Sequence, residues 1–131
     1  MTTAKTLREL LEAREPWFVP ACFDALSALL IRGAGFRFAF ISGYGVSATQ
    51  LAAPDVGLIT GGEMARAVRC ICSAVPGFPL VADGDHGYGG AMNVRRTIFE
   101  YARAGAAAIV IEDQRWLRIF GHGYKWISVR A

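Results

Sequence analysis

Acidic side chains stand at the ends of two short apolar runs. Asp83 and Asp85 follow the run 78–82, and Glu112 follows the run 107–111. If both runs are parallel strands, their carboxyl ends meet at one edge of a sheet, which is where active sites of α/β folds lie. Three carboxylates at one edge suit a hard divalent cation, above all Mg²⁺, which binds oxygen ligands and retains several waters. The spacing therefore predicts a Mg²⁺ site.

A structural role for the same carboxylates is the alternative. Asp83 and Asp85 precede a predicted helix and could cap it, and Glu112 could pair with Arg95 or Arg96. A calcium-binding loop starting at Asp83 is excluded, because its fifth, sixth and twelfth positions carry no suitable ligand.

A second polar segment, Ser42-Gly43-Tyr44-Gly45, follows the apolar run 37–41. Its backbone N–H groups could bind a carboxylate or a phosphate, and a plain turn is the alternative. A loop of nearly twenty residues that contains Asp55 is expected next, and long loops inside compact domains are usually functional.

The apolar runs alternate with amphipathic stretches that indicate helices. Thr6 to Glu9 has the form of a capping box and predicts a helix at the start of the chain. Asp24 is the expected N-cap of the next helix. This alternation is typical of βαβ units with a parallel sheet covered on both faces. The further predicted helices are 24–32, 63–75 and 93–103.

Composition limits the class of protein. The chain has 131 residues, 53% hydrophobic residues and a net charge of +3, which predicts one globular domain and argues against disorder and nucleic-acid binding. No apolar run reaches the roughly 20 residues of a membrane span, and no signal peptide is evident, so a cytoplasmic protein without a membrane partner is expected. The three cysteines, an odd number without zinc spacing, are expected to be reduced and mostly packed.

Six motifs, in order, resemble the isocitrate lyase and phosphoenolpyruvate mutase superfamily over residues 5–122. The similarity is greatest to its methylisocitrate lyase and carboxyphosphonoenolpyruvate phosphonomutase branch. The motifs are Asp24-Ala25-Leu26-Ser27-Ala28, Ser42-Gly43-Tyr44-Gly45, Pro54-Asp55-Val56-Gly57, Ala82-Asp83-Gly84-Asp85-His86-Gly87-Tyr88-Gly89, Asn93-Val94-Arg95-Arg96-Thr97 and Ile111-Glu112-Asp113-Gln114.

The resemblance implies a role for each group. Asp85 would ligate Mg²⁺ directly, while Asp83 and Glu112 would hold water molecules around the ion. Asp55 would help to close the site. Ser42, Gly43 and Tyr44 would bind the carboxylate of an α-keto acid, and the reaction would pass through an enolate.

The family also carries a Lys-Lys/Arg-Cys-Gly-His segment, which matches 118–122 here and makes His122 a candidate catalytic residue. Phe120 stands where the family has the cysteine that protonates the leaving enolate. Phenylalanine cannot donate a proton, which favours decarboxylation of oxaloacetate, or a related C–C or P–C bond reaction, over isocitrate-type cleavage.

The implied fold is α/β, the first half of a (β/α)₈ barrel truncated after about the fourth strand. A complete barrel needs about 250 residues, so a truncated or frameshifted reading frame is expected. We expect a single partial barrel over 1–131, with a divergent tail over 115–131.

Three functional hypotheses follow. The first is a Mg²⁺-dependent lyase or phosphonomutase for small α-keto or 2-hydroxy acids, impaired by truncation and homo-oligomeric if folded. The second is a noncatalytic fragment that associates with itself or with a full-length paralogue. A small nucleotide-binding domain is the third, although the glycine fingerprint for it is absent.

Overall fold

The computed structural model describes residues 2–113 and the backbone of residues 127–129. Helices and strands alternate along this part of the chain, as the pattern of apolar runs predicts. The elements are α1 (Thr3–Glu12), β1 (Ala21–Cys22), α2 (Ala25–Gly33), β2 (Ala39–Ile41), α3 (Gly43–Leu51), α4 (Gly61–Ala74), β3 (Leu80–Asp83), α5 (Ala91–Ala104), β4 (Ala108–Glu112) and β5 (Ile127–Val129).

The first four strands form a parallel sheet in sequential order, β1-β2-β3-β4. Parallel neighbours need a crossover between them, and α2, the pair α3 and α4, and α5 supply the three crossovers. This arrangement confirms the predicted α/β class with parallel strands. A fifth strand, which the sequence pattern did not predict, pairs with β4 in antiparallel register from Val110↔Val129 to Glu112↔Ile127.

The strand register places two of the acidic side chains on one face of the sheet. Asp83 in β3 pairs with Val110 in β4, and Glu112 lies two residues after Val110. Because side chains alternate between faces along a strand, Asp83 and Glu112 point to the same face. Both also lie at the carboxyl ends of their strands, so they share one edge as well as one face.

The opposite face of the sheet packs against helices. Ile41, Leu80 and Ala82 on that face are fully buried in one cluster with Val68 and Ile71 of α4. At roughly 25 cal/mol per Å² of apolar surface, each large aliphatic side chain in this cluster contributes about 1.5–3 kcal/mol through burial. The helices thus cover one face of the sheet, and the acidic side chains lie on the other face.

A smaller cluster covers the amino-terminal part of the face that carries Asp83. Leu7 of α1 is buried there with Phe38, Ala107 and Ala108, and the ring of Trp17 packs edge-on against Phe38. The Trp17 indole N–H donates to the carbonyl of Leu10 in α1. Helix α1 therefore closes the end of the sheet remote from the carboxylates.

The caps of two helices agree only in part with the sequence prediction. Asp24 caps α2 as expected, in a capping box with Ser27: its Oδ1 accepts the Ser27 N–H at 2.7 Å. This contact lowers the pKa of Asp24. The prediction for α1 was wrong, because Thr2 is its N-cap and Thr6 lies inside the helix, where its hydroxyl donates to the Thr2 carbonyl.

The expected long loop after Gly45 is also different. Residues 43–51 form α3, and only 52–60 connect it to α4. Two glycines and a β-branched residue in 43–46 are weak helix formers, so the pattern did not indicate a helix. The Ser42 hydroxyl starts it by accepting the Gly45 N–H at 3.1 Å. The segment is therefore a helix start and not a plain turn.

The three cysteines are free thiols in different environments. Cys22 is buried, Cys72 is half-buried, and burial raises the pKa of each to about 11. Cys70 is exposed, which departs from the expectation for that residue. Within residues 2–113, no helix is both long and apolar enough to cross a bilayer.

Candidate active site

Asp83 is the centre of the polar edge. Its Oδ2 accepts the N–H of Gly43 at 3.2 Å, and its Oδ1 accepts the N–H of Asp85 at 3.1 Å. The first bond joins the end of β3 to the start of α3, and the second turns the chain after the strand. Backbone amides from two elements therefore orient this carboxylate.

Burial and acidic neighbours determine the charge environment of Asp83. Burial, the charge of Asp85 and, to a smaller extent, the charge of Glu112 together raise its pKa to about 6, against the lowering effect of the two amides. A carboxylate interacts in this way only with acidic neighbours that lie close to it in a poorly solvated place. The structure thus brings together the three carboxylates predicted from two distant segments.

Asp85 and Glu112 are joined through the backbone. The N–H of Glu112 donates to the carbonyl of Asp85, with an N···O distance of 2.6 Å. Both residues are 8% exposed. The preceding residue, Gly84, donates its N–H to the carbonyl of Val110 at 2.9 Å. The chain after β3 is thereby attached to the end of β4.

Capping is not the role of the two aspartates. The N-cap of α5 is Gly90, which makes no side-chain bond, while Asp83 accepts from Gly43 and Asp85 instead. Arg96 forms an ion pair with Glu100 on its own helix, at 2.7 Å. The predicted capping of α5 and the predicted pairing of Glu112 with Arg96 are therefore not what these contacts show, and a ligand-binding role for the cluster stays a prediction.

The described carboxylates supply only part of what a bound metal ion needs. In the part of the chain that the structure describes, no three His, Cys, Asp or Glu side chains converge closely enough to ligate one metal ion together. Mg²⁺ nevertheless needs only one or two direct carboxylates, because it keeps several waters. Buried carboxylates whose negative charges repel one another are stabilised by such a cation. Which carboxylate ligates it directly stays a prediction.

The predicted carboxylate-binding segment lies beside this cluster. Gly43 is buried and donates to Asp83, whereas the Tyr44 side chain is 61% exposed. The Ser42 hydroxyl is occupied as the cap of α3. The structure therefore brings the backbone of 42–44 next to Asp83, and substrate binding by these residues stays a prediction.

For two candidate residues, the described part of the structure gives no contact with the carboxylate cluster. Asp55 lies half-buried in the connection between α3 and α4, and its part in closing the site stays a prediction. His122 lies outside the described residues, as do Gln114 and Phe120 and most of the tail 115–131. Their predicted roles rest on the sequence alone.

Three residues near the site had no role predicted from the sequence. The hydroxyls of Tyr88 and Tyr101 lie 3.3 Å apart, and the Thr97 hydroxyl donates to the carbonyl of Gly87 at 3.1 Å. These contacts connect the segment after β3 with α5. The position of Tyr88 between two glycines was the only local sign that this residue has a special place. No sequence pattern pointed to Tyr101, which lies 13 residues after Tyr88.

Comparison with known proteins agrees with this geometry. The chain is 44% identical over 113 residues to the chloroplastic carboxyvinyl-carboxyphosphonate phosphorylmutase of Arabidopsis thaliana, covering 86% of this chain and 33% of the relative. It is 43% identical over 122 residues to the 2,3-dimethylmalate lyase of Eubacterium barkeri, covering 93% of this chain and 42% of the relative. The chain thus spans well under half the length of these curated relatives.

Solved structures share the fold. A crystal structure of 2,3-dimethylmalate lyase, described as a PEP mutase/isocitrate lyase superfamily member, matches with a TM-score of 0.80 and 37% identity over 87% of this chain and 40% of that one. Phosphonopyruvate hydrolase, in complex with oxalate and Mg²⁺, matches with a TM-score of 0.82 and 36% identity over 88% of this chain and 40% of that one.

The match to a protein family covers most of the sequence. Residues 7–124 match the family described as phosphoenolpyruvate phosphomutase. This range includes the segments of Ser42, Asp83 and Glu112. The family match therefore covers the motifs that lie at the ends of β2, β3 and β4. The chain belongs to the phosphoenolpyruvate phosphomutase family, within the PEP mutase/isocitrate lyase superfamily.

Proposed function

We propose that this chain carries the metal-binding half of the active site of a Mg²⁺-dependent lyase or phosphonomutase for small α-keto or 2-hydroxy acids. The observation that carries the proposal is the cluster of Asp83, Asp85 and Glu112 beside the first amide of α3. The relatives of the chain include both a lyase and a phosphorylmutase, and the family resemblance implies a reaction that passes through an enolate.

The chemistry requires stabilisation of negative charge that develops on an enolate oxygen. Mg²⁺, when bound, supplies this as a Lewis acid. Asp85 would ligate the ion, while Asp83 and Glu112 would orient the waters around it. Asp83 suits this task because two backbone amides fix both of its oxygens in position.

Substrate would lie between the carboxylates and the start of α3. Ser42, Gly43 and Tyr44 would bind its carboxylate through the amino-terminal end of that helix, where the partial positive charge favours anions. Asp55 would help to exclude water, and His122 would act on the substrate from the segment after β4. Phe120 supplies no proton, which favours decarboxylation of oxaloacetate or a related reaction.

A thermal unfolding series tests the proposal. Mg²⁺ and oxalate, a mimic of the pyruvate enolate, are added separately and together to the chain. A ligand at 100 times its dissociation constant stabilises the folded state by about 2.7 kcal/mol, which raises the midpoint by several degrees. We expect this shift only with both additives.

Two variants make the test specific. Asp85→Ala should abolish the shift, while Glu12→Ala, an exposed carboxylate at the end of α1, should retain it. No shift in the unsubstituted chain, or an equal shift in Asp85→Ala, would contradict the proposal. Turnover of oxaloacetate by the chain is expected to be weak or absent.

Association without catalysis is the second candidate. The rings of Phe18 and Phe36 pack against each other on the surface, with Phe18 81% exposed, and Leu30 is exposed nearby in sequence. Exposed apolar side chains of this size favour contact with another chain. A concentration-independent monomer mass in solution scattering would exclude self-association; a dimer that shows no Mg²⁺ response would favour this candidate over the first.

A further inference from the structure

The segment 84–90, which joins β3 to α5, has a backbone that needs support. Asp85 has φ 45° and Tyr88 has φ 62°, which are left-handed values that side chains other than glycine rarely adopt. Such conformations persist only where surrounding contacts over-determine them. Asp85 is one of the carboxylates of the candidate site, so whatever maintains this backbone also positions that carboxylate.

One set of contacts comes from β4. The N–H of Glu112 donates to the carbonyl of Asp85, and the N–H of Gly84 donates to the carbonyl of Val110. These bonds fix the first half of the segment. They do not reach Gly87 or Tyr88, where the left-handed conformation continues.

A second set comes from one face of α5. Thr97 donates to the carbonyl of Gly87 within a buried environment, and Tyr101, four residues later on the same face, places its hydroxyl 3.3 Å from that of Tyr88. Tyr101 is 1% exposed. Burial raises the pKa of both phenols, so both stay protonated and one donates to the other at any physiological pH.

Both packed side chains and a cavity border this half of the segment. The Tyr88 ring lies against Gly61, where an added Cβ would approach its Cδ2 to 2.9 Å. A cavity of about 210 Å³ borders Gly87, Tyr88 and Thr97. The segment therefore has packed neighbours on one side and open space on the other, and the two hydrogen bonds from α5 add to that packing.

We propose that Tyr101 is a positioning residue for the carboxylate cluster, acting through the Tyr88 hydroxyl to maintain the left-handed backbone between Asp85 and Tyr88. Glu112 fixes one end of this stretch and Tyr101 the other. Loss of the Tyr101 hydroxyl frees the second end and lets the backbone at Asp85 relax. The inference rests on the proposed function, because the carboxylates that Tyr101 would position are those proposed to bind the metal ion.

The experiment measures amide hydrogen exchange in Tyr101→Phe, Tyr88→Phe and the double variant. Each substitution removes a hydroxyl and keeps the ring, so the core remains filled. The N–H of Gly87, which donates to Gly84, and the N–H of Asp85, which donates to Asp83, are the reporters. A typical hydrogen bond predicts exchange about fivefold faster at these amides.

Two comparisons decide the result. The double variant should exchange no faster than either single variant, because both remove the same contact. Ile71→Val, which trims a core residue of α4, should not accelerate Asp85 and Gly87 selectively. Equal acceleration throughout the chain in Tyr101→Phe, as in Ile71→Val, would overturn the proposal by showing a general structural role.

Mg²⁺ binding in the presence of oxalate separates this inference from the proposed function. If the unsubstituted chain binds, Tyr101→Phe should weaken binding about fivefold, the same factor as the exchange; unchanged affinity overturns the positioning role. If the unsubstituted chain does not bind, the proposed function fails, and selective acceleration at Asp85 and Gly87 still establishes Tyr101 as the residue that positions this backbone.

Discussion

The backbone N–H of Gly43 donates to Oδ2 of Asp83 at 3.2 Å, across 40 positions of sequence. The same glycine allows the close approach, because an added Cβ would lie 2.9 Å from that oxygen. The start of α3 and the end of β3 are thus coupled through one hydrogen bond. The predicted carboxylate-binding segment and one predicted metal-binding residue therefore lie in direct contact.

Gly43→Ala should separate these two groups. The new methyl group displaces the Asp83 carboxylate and weakens a hydrogen bond to a charged acceptor, which is worth about 1.5–3 kcal/mol. We expect binding of Mg²⁺ with oxalate to weaken at least about tenfold, measured by calorimetry. Gly62→Ala is the matched control, since it lies in the first turn of α4 with no heavy atom within 4 Å. Equal binding by both variants would show that Gly43 has no role in the site.

Asp83→Asn should remove a loss of stability that occurs as the pH rises towards neutrality when Mg²⁺ is absent. The folded-state pKa of about 6 lies above the ordinary 3.8, so the folded state holds this proton more tightly than the unfolded state. The resulting stability is fully present below about pH 4 and is lost as the pH rises through about 6.

Urea unfolding at a series of pH values measures this effect. The interval from 3.8 to about 6 corresponds to at most about 3 kcal/mol. Asp83→Asn should remove that part of the pH dependence and also the response to Mg²⁺ with oxalate. An unchanged pH profile in this variant would show that other groups determine the stability in this range.

Asp24→Ala should destabilise α2 through loss of its capping box. The Asp24 carboxylate accepts the Ser27 N–H at 2.7 Å, and the Ser27 hydroxyl accepts the N–H of Asp24 in return. Loss of such an N-cap typically costs about 1 kcal/mol, which should appear as a lower urea midpoint. Asp24→Ser keeps a capping oxygen and should recover most of the lost stability. If it does not, the stabilisation comes from the negative charge of Asp24 and not from the capping hydrogen bond.

Gly87→Ala should be far more damaging than Gly90→Ala, although the two glycines are three residues apart. Gly87 has φ 83°, and an added Cβ would lie 2.5 Å from Cγ2 of Val94, whereas Gly90 has no heavy atom within 4 Å. Left-handed strain alone costs about 1–2 kcal/mol, and displacement of Val94 adds to it. Similar unfolding midpoints for the two variants would contradict the described backbone of this segment.

The sequence by itself determined the alternation of strands and helices and the class of fold. Apolar runs that alternate with capped amphipathic stretches leave a parallel α/β sheet as the arrangement that buries both faces, and Asp24 and Asp83 could be placed at a helix start and a strand end from local pattern alone. The family motifs then identified the superfamily. These features depend on residues close together in the chain, which is why they can be predicted from the sequence alone.

The tertiary structure decided which distant groups meet. The N-cap of α1 was missed because Thr2 and Thr6 are equally suited to capping by residue type, and helix α3 was missed because its first residues are weak helix formers. The bond from Gly43 to Asp83 depends on strand register, and the contact of Tyr101 with Tyr88 depends on how α5 lies over the sheet. Such contacts have no local signature, because their energy arises only when separate elements come together.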